Sequence, residues 1–181
     1  MGKYSYSYYN TTILWENKDA KLVIGNFCSI GGNIKVYLGG NHNTGYVTTY
    51  PFGNIHENIF NNFNNFHGEY NPTTKGDVII GNDVWIADNV TIMSGVTIGD
   101  GAVICNNSHV IKNVEPYSIS GGNPCKFIKY RFTKEQIDKL LEIKWWYWDD
   151  ITINKFIPLL CNDNIDAFIN ASIEYTRGNN I

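Results

Sequence analysis

The chain has 181 residues, 43% of them hydrophobic, and a formal net charge of −3, which fits one globular domain with its own core. The nearly balanced charge and the lack of a dense Lys/Arg cluster argue against binding to nucleic acid, and no window reaches the ~18 apolar residues of a membrane span. Since the cysteines show neither CxxC spacing nor a paired framework and follow no apolar signal stretch, we expect reduced thiols in a cytoplasmic protein. The cysteines are Cys28, Cys105, Cys125 and Cys161.

The first predicted elements are a tyrosine-rich segment, residues 4–9, and a six-residue repeat that follows it. The repeat starts as IGNFCS at Ile24 and IGGNIK at Ile30, and Val36 opens a third unit. It resumes at Ile80 as IGNDVW, IADNVT, IMSGVT, IGDGAV, ICNNSH and VIKNVE, each unit opening on an aliphatic residue. Small or branched residues (Val, Ala, Ser) recur at the fifth position of each unit.

This period predicts a left-handed parallel β-helix, in which the aliphatic residues stack inside a three-sided prism. Gly, Asn and Asp fall at the turns, where their tolerance of unusual φ values is useful. A β-sandwich is the alternative, but its alternation has period two and would not keep these turn residues in phase. The tyrosine-rich segment is then expected to cap the N-terminal end, where strand edges would otherwise be unpaired.

A loop of about residues 38–76 interrupts the prism, because the interval from Val36 to Ile80 is not a multiple of six. The loop carries GGNHNTGYVTTYPF, residues 39–52, with His42 in a polar run. It also carries FNNFNNF, residues 60–66, whose phenylalanines are expected to pack against the prism or a neighbouring subunit.

After the GGNP turn, residues 121–124, the pattern becomes helical. Thr133 is a predicted N-cap with Gln136 three residues later, and apolar residues follow at helical spacing. The WWYW motif, residues 145–148, is expected to anchor this segment to the last coils. We therefore divide the chain into a β-helix, residues 1–130, and a C-terminal helical extension, residues 131–181.

The hexads, the GNHxxxxVTTYPF loop, the KGDVIIGNDVWI coil, the GGNP turn and the IKWWYW tail resemble, in this order, the xenobiotic acetyltransferase branch of the hexapeptide-repeat acyltransferases. The resemblance runs from Gly2 through the WWYW motif. It implies acetylation of a hydroxyl or an amine by acetyl-CoA without a metal. It also implies a homotrimer with active sites between subunits, under the ejected loop.

By this resemblance His42 matches the catalytic histidine, and a neutral imidazole can serve as the general base for attack on the thioester. No covalent intermediate is required, so no cysteine has to be catalytic. The resemblance matches Trp85 to the pantetheine arm, with Asp88, Asn106 and Ile111 near the pantetheine amides. Lys126 and Lys129 match basic residues near the CoA phosphates, where an ammonium supplies charge. The acceptor-binding candidates are Asn41, Tyr46, Thr49 and Tyr50.

The VTTYPF ending resembles sugar-modifying members, although Gly45 and Tyr46 replace an acidic residue and a tryptophan. Neutral polar side chains in the loop suit a polyhydroxylated ligand. We expect an amino sugar, carried on a nucleotide and acetylated on nitrogen. The alternatives are O-acetylation of a streptogramin- or chloramphenicol-type antibiotic and a catalytically inactive trimeric scaffold or binding module.

A further alternative is a zinc site of three histidines, as in the carbonic anhydrases with this repeat. It has little support, because only His109, expected to be exposed, lies in the repeat proper. His56 and His67 lie in the long loop without partners at metal-ligand spacing.

Overall fold

The computed structural model of the protein describes residues 1–15, 19–52, 55–56, 58–60, 62 and 73–178. Within these ranges thirteen short β-strands form three sheets, followed by three α-helices. Sheet 1 contains, in spatial order, β1 (Tyr6–Ser7), β4 (Ser29–Ile30), β7 (Trp85–Ile86), β10 (Val103–Ile104), β12 (Ser118–Gly121) and β13 (Lys126–Tyr130). Sheet 2 contains β2 (Thr12–Leu14), β5 (Lys35–Tyr37), β8 (Thr91–Ile92) and β11 (His109–Val110). Sheet 3 contains β3 (Leu22–Ile24), β6 (Val78–Ile80) and β9 (Thr97–Ile98).

After the loop, strands β6 to β11 pair in parallel at a constant shift of 18 residues. Trp85 in β7 pairs with Val103 in β10, and the same separation of 18 residues joins Asn82 to Asp100 by a hydrogen bond. Three six-residue units therefore complete one coil, with one unit for each face of a prism. The last strand, β13, departs from this pattern because it returns antiparallel along β12.

Ile24 is only partly buried, but the other aliphatic residues that open the units lie inside the prism, as predicted. These side chains are at most 2% exposed: Ile30, Val36, Ile80, Ile86, Ile92, Ile98, Ile104 and Val110. The fifth positions are buried as well, at Val84, Val90, Val96, Ala102, Ser108 and Val114. Full burial of an Ile or Val side chain contributes roughly 1.5–3 kcal/mol, so this column is the main source of the stability of the prism.

The tyrosine-rich segment pairs with the edge of sheet 1. Strand β1 runs parallel to β4, and the Tyr6 N–H donates to the Cys28 carbonyl at 3.0 Å. The side chains of Tyr6, Tyr8 and Tyr9 stay more than half exposed. The segment therefore satisfies the strand edge, as expected, and presents three aromatic rings to the surface.

The C-terminal segment contains α1 (Lys134–Ile143), α2 (Asp150–Leu160) and α3 (Ile165–Gly178), with a 3₁₀ turn at Trp145–Tyr147. Helix α1 begins at the predicted cap, where Thr133 and Gln136 form a reciprocal capping box. None of the described helices has the length and apolar character that crossing a membrane requires.

The aromatic motif at residues 145–148 packs in one core cluster with Tyr117 of the last coil, and it also reaches the first coil, which the sequence did not predict. The Trp145 ring lies 4.9 Å from the Phe27 ring, and the Asn26 amide donates to the Trp146 carbonyl at 3.2 Å. The physical reason is that the turns of successive coils stack along one edge of the prism, and the C-terminal segment runs along that edge. Trp148 instead packs among the aromatic side chains of α2 and α3.

An ion pair lies where the C-terminal segment meets this edge. Arg131 Nη1 donates to the Gly101 carbonyl at 2.6 Å and lies 3.7 Å from Asp83 Oδ2, and the guanidinium lies over the Tyr117 ring. Burial raises the pKa of Asp83 to about 6, because lost hydration outweighs the attraction of Arg131 and the nearby Asp100 adds repulsion. Burial also raises the pKa of the Tyr117 phenol.

We predict that the wild-type protein loses stability relative to Asp83→Asn as the pH rises from about 4 to about 6. In this range the folded state holds a proton at Asp83 more tightly than the unfolded state, so raising the pH removes that contribution. The asparagine does not titrate. The expected relative loss is on the order of 2 kcal/mol, measured from urea unfolding midpoints at a series of pH values. Parallel midpoints for the two proteins would contradict the raised pKa.

Candidate active site

The projecting loop leaves and rejoins the prism through a narrow neck. Asn41 and Thr73 form an isolated antiparallel bridge, with N···O distances of 3.0 and 2.8 Å. The Asn41 amide nitrogen also donates to the Thr73 carbonyl at 3.2 Å and to Ser94 Oγ at 2.8 Å. Gly40 has a φ of +78° and packs on Trp15, where a Cβ would lie 2.8 Å from the indole ring. Both ends of the loop are therefore held beside the prism. The outgoing end is held at Asn41, one residue before His42.

His42 is exposed, and its ring orientation is set by a contact within the loop. Nδ1 lies 2.6 Å from the backbone carbonyl oxygen of Thr49. Because a carbonyl oxygen only accepts hydrogen bonds, we assign the hydrogen of the neutral ring to Nδ1. The Nε2 atom then carries the lone pair and can accept a proton. Sequence reasoning named no residue that orients His42, and Thr49 does so through its backbone.

The predicted acceptor-binding residues make their contacts through different groups, some through the side chain and one through the backbone. Asn41 uses its amide at the neck, Thr49 uses its carbonyl on His42, and Tyr46 is partly buried. Tyr50 is 38% exposed, and its ring forms a pair with Phe52 at a centroid distance of 4.7 Å.

The loop exposes apolar side chains as well as polar ones. The Phe52 ring meets the Phe60 ring edge to face at 5.1 Å, while Val47 is fully exposed and Ile59 is mostly exposed. Of the segment 60–66, Phe60 therefore packs within the loop. Residues 61 and 63–66, together with His67, lie outside the described residues.

Trp85 projects from sheet 1 and is 56% exposed. It borders a cleft of about 280 Å³ together with Asp88 and with the three tyrosines of the N-terminal segment, Tyr6, Tyr8 and Tyr9. Sequence reasoning assigned these tyrosines to capping alone. The run of tyrosines in the sequence was the available signal that this segment also lines a cleft.

Asp88 and Asn106 stack on the edge between sheets 1 and 2, one coil apart. The Asp88 carboxylate accepts from the Gly32 N–H at 2.6 Å, and its backbone carbonyl accepts from Asn107. Ile111 is 46% exposed and follows β11, on the edge between sheets 2 and 3. This is the edge from which the loop projects.

Lys126 and Lys129 are exposed on β13. Lys129 pairs with Ile119, which pairs with Val103, which pairs with Trp85, so the lysine and the tryptophan occupy one register position of sheet 1. Lys126 also borders a cleft of about 300 Å³ with Lys112. Sequence reasoning missed Lys112, whose only signal is its position directly after Ile111.

The chain distributes the candidate residues over two sides. Trp85 and Lys129 lie on sheet 1, whereas His42 lies over the edge between sheets 2 and 3. In a three-sided prism, that edge is opposite sheet 1. A single chain therefore does not bring the histidine onto the face that carries the tryptophan.

His109 is partly buried, which corrects the expectation of an exposed side chain. The turn after β12 returns over it, with the His109 N–H donating to the Gly122 carbonyl at 3.0 Å and the Cys125 N–H donating to the His109 carbonyl at 2.9 Å. Among the residues that the structure describes, no three His, Cys, Asp or Glu side chains gather in a way that would hold a metal ion.

Residues 77–112 match the family described as Bacterial transferase hexapeptide (six repeats). A chloramphenicol acetyltransferase of Klebsiella aerogenes is 40% identical over 179 residues, 91% of this chain and 83% of that protein. A probable macrolide acetyltransferase of Lysinibacillus sphaericus is 48% identical over 149 residues, 79% of this chain and 78% of that protein. A solved galactoside acetyltransferase in complex with coenzyme A has a TM-score of 0.52 and 30% identity, covering 82% of this chain and 59% of that chain. These similarities confirm the predicted left-handed β-helix.

Proposed function

Because this chain belongs to the xenobiotic acetyltransferase branch of the hexapeptide-repeat acyltransferases, we propose that it transfers the acetyl group of acetyl-CoA to a hydroxyl of a small, largely apolar acceptor, with His42 as general base. The observation that carries this proposal is the 2.6 Å contact between His42 Nδ1 and the Thr49 carbonyl. It leaves Nε2 as a proton acceptor on an exposed ring.

In the proposed reaction, Nε2 takes the proton of the acceptor hydroxyl as its oxygen attacks the thioester carbonyl. The tetrahedral intermediate collapses, the C–S bond breaks, and the imidazolium returns the proton to the leaving thiolate of CoA. The Thr49 carbonyl keeps its hydrogen bond while the ring is charged, which stabilises the imidazolium. General base catalysis of this kind contributes typically 10²–10⁴ in rate.

The donor would bind along sheet 1. Trp85 offers an exposed aromatic face for the pantetheine arm, and the edge at Asp88 and Asn106 offers backbone groups, while Ile111 belongs to the edge beside the loop. Lys129 lies three strands from Trp85 in the same register, about 14 Å at ordinary strand spacing. A pantetheine arm extended from the tryptophan along sheet 1 would bring the phosphates of CoA near Lys126 and Lys129.

The distribution of these residues supports a homotrimer with active sites between subunits. The loop of one subunit would bring His42 over the tryptophan-bearing face of the next, because the two features lie on opposite sides of one prism. The outward-facing Val23 and Ile79, each about 40% exposed and paired with one another in sheet 3, suit burial between subunits.

For the acceptor, the exposed apolar side chains of the loop and the two antibiotic-named relatives favour a hydroxylated antibiotic of the chloramphenicol or macrolide type. Val47, Phe60 and the Tyr50–Phe52 pair would give an acceptor apolar surface on the loop that a free sugar would not need. Polyhydroxylated ligands depend instead on convergent polar groups.

A sugar is the second candidate, because the loop also carries Asn43, Thr48 and Thr49 and because the galactoside acetyltransferase is 30% identical. N-acetylation of a nucleotide-linked amino sugar stays a prediction from the sequence and ranks below the antibiotic. An inactive scaffold ranks lower still, since it has no need of a histidine whose ring is held by a specific contact.

We predict release of free CoA when the protein is mixed with acetyl-CoA and an acceptor. The panel comprises chloramphenicol, a macrolide, a streptogramin, simple sugars and nucleotide amino sugars, followed with a thiol reagent. Turnover with an antibiotic alone supports the first candidate, and turnover with a sugar alone supports the second. Absence of turnover together with absence of CoA binding in calorimetry would favour the scaffold.

We expect His42→Ala to reduce kcat by roughly 10² or more with the best acceptor, because the alanine has no group that can take the proton. The matched control is His56→Ala, which removes an exposed histidine from the same loop. Full activity in His42→Ala, or an equal loss in His56→Ala, would remove His42 from the proposed role.

Sedimentation equilibrium should give three times the mass of 20.6 kDa of the chain. Mixing His42→Ala with Trp85→Ala should then restore activity, because some mixed interfaces unite a native histidine with a native tryptophan. A fully active monomer would contradict the shared site.

A further inference from the structure

The neck of the loop is closed by one buried hydroxyl. Ser94 is 2% exposed and lies in the turn after β8. Its Oγ accepts from Asn41 Nδ2 at 2.8 Å and from the Lys75 N–H at 3.3 Å. Asn41 belongs to the outgoing end of the loop and Lys75 to the returning end. A hydroxyl has two acceptor lone pairs, and Ser94 uses them to join the two ends.

The backbone beside Ser94 seats the returning end more closely. The Gly95 N–H donates to the Gly76 carbonyl at 3.0 Å. Gly95 has a φ of +76°, and a Cβ there would lie 2.6 Å from the Lys75 carbonyl oxygen, so a larger residue would push the neck away. The Ser94–Gly95 pair therefore accommodates the returning end of the loop. A turn that contains serine does not by itself require these contacts.

We propose that Ser94 is a positioning residue for the acetyl transfer, which latches the neck of the loop through Asn41 and thereby fixes where the adjoining His42 presents Nε2. This inference rests on the proposed role of His42. The hydrogen bonds of Ser94 in the described residues go to Asn41 and Lys75 and not to His42, so Ser94 acts on the histidine through the adjoining residue Asn41.

The position of His42 relative to the prism depends on the neck of the loop. Asn41 makes hydrogen bonds to the prism, while His42 and residues 44, 45 and 47–50 are exposed. The only contact of the His42 ring given by the described residues is to Thr49, on the same loop, so that contact fixes the ring relative to the loop but not relative to the prism. The hydrogen bonds at the neck fix the loop, and with it His42, relative to the prism. Misplacement of a catalytic group by about 1 Å can cost up to 10²-fold in rate.

Ser94→Ala removes both bonds of the latch, and we expect kcat to fall about tenfold or more while the KM for acetyl-CoA stays within about twofold, because the donor-binding face is untouched. The matched control is Ser172→Ala, which deletes a hydroxyl that is 1% exposed in α3 and donates within its own helix. Equal losses of kcat in the two variants, at equal changes in thermal midpoint, would mean that Ser94 is merely structural.

A double-mutant cycle with Asn41→Ala tests the connection. If Ser94 acts through Asn41, then Ser94→Ala should reduce kcat much less in the Asn41→Ala background than in the wild type. Additive losses in kcat would overturn the latch.

A second measurement separates failure of the latch from failure of the proposed function. Long-range ¹H–¹⁵N spectra of the resting protein report which ring nitrogen of His42 carries the hydrogen and how mobile the ring is. Limited proteolysis measures how readily the loop opens. We expect faster cleavage in the loop and a broadened His42 signal in Ser94→Ala but not in Ser172→Ala, whether or not any acceptor is turned over. Unchanged cleavage and spectra in Ser94→Ala would overturn the proposal, even in an active enzyme.

Discussion

The stacking of identical coils inside the prism is the constraint on which the rest of the structure depends. In the coils after the loop, each inward aliphatic residue meets its equivalent 18 residues away, so each coil must begin and end in register with the next. The pairing of Lys35 with Thr91 and of Leu22 with Val78 shows that register survives the loop. A long insertion is tolerated only when its two ends leave and return at one edge. The neck of Asn41, Thr73 and Ser94 meets that requirement.

The same constraint explains which parts of the fold were predictable. A strict six-residue period has few physical realisations, so the interior positions followed directly from the sequence, and the capping box at Thr133 was equally local. The course of the WWYW motif was not predictable. Its contact with Phe27 depends on the stacking of turns from coils far apart in sequence, for which no local pattern exists.

Some features of the candidate site could likewise be predicted from the sequence, and others could not. His42 and Trp85 could be named because the motifs around them resemble those of the family, and their roles stay predictions. The contact of the Thr49 carbonyl with His42 could not, because a backbone group leaves no trace in residue type. Ser94 was hidden for a related reason, since a serine at a turn is ordinary in this repeat, and only its two partners distinguish it. The division of the chain at residue 130 stays a prediction, because Arg131 belongs to both parts.

The donor and acceptor sides rest on different kinds of structure. Trp85, Asp88 and Asn106 are fixed by strands and edges whose register the interior dictates, so they cannot shift without disturbing whole coils. His42, Tyr46 and Tyr50 lie on a loop that is tied to the prism at its neck, and the loop surface can change residue by residue while the neck holds. The proposed donor face is therefore tied to the regular architecture, whereas the proposed acceptor surface can vary with the loop. Under the proposed function, the exposed loop residues would decide the acceptor, so the regular part of the sequence predicts the reaction more readily than the substrate.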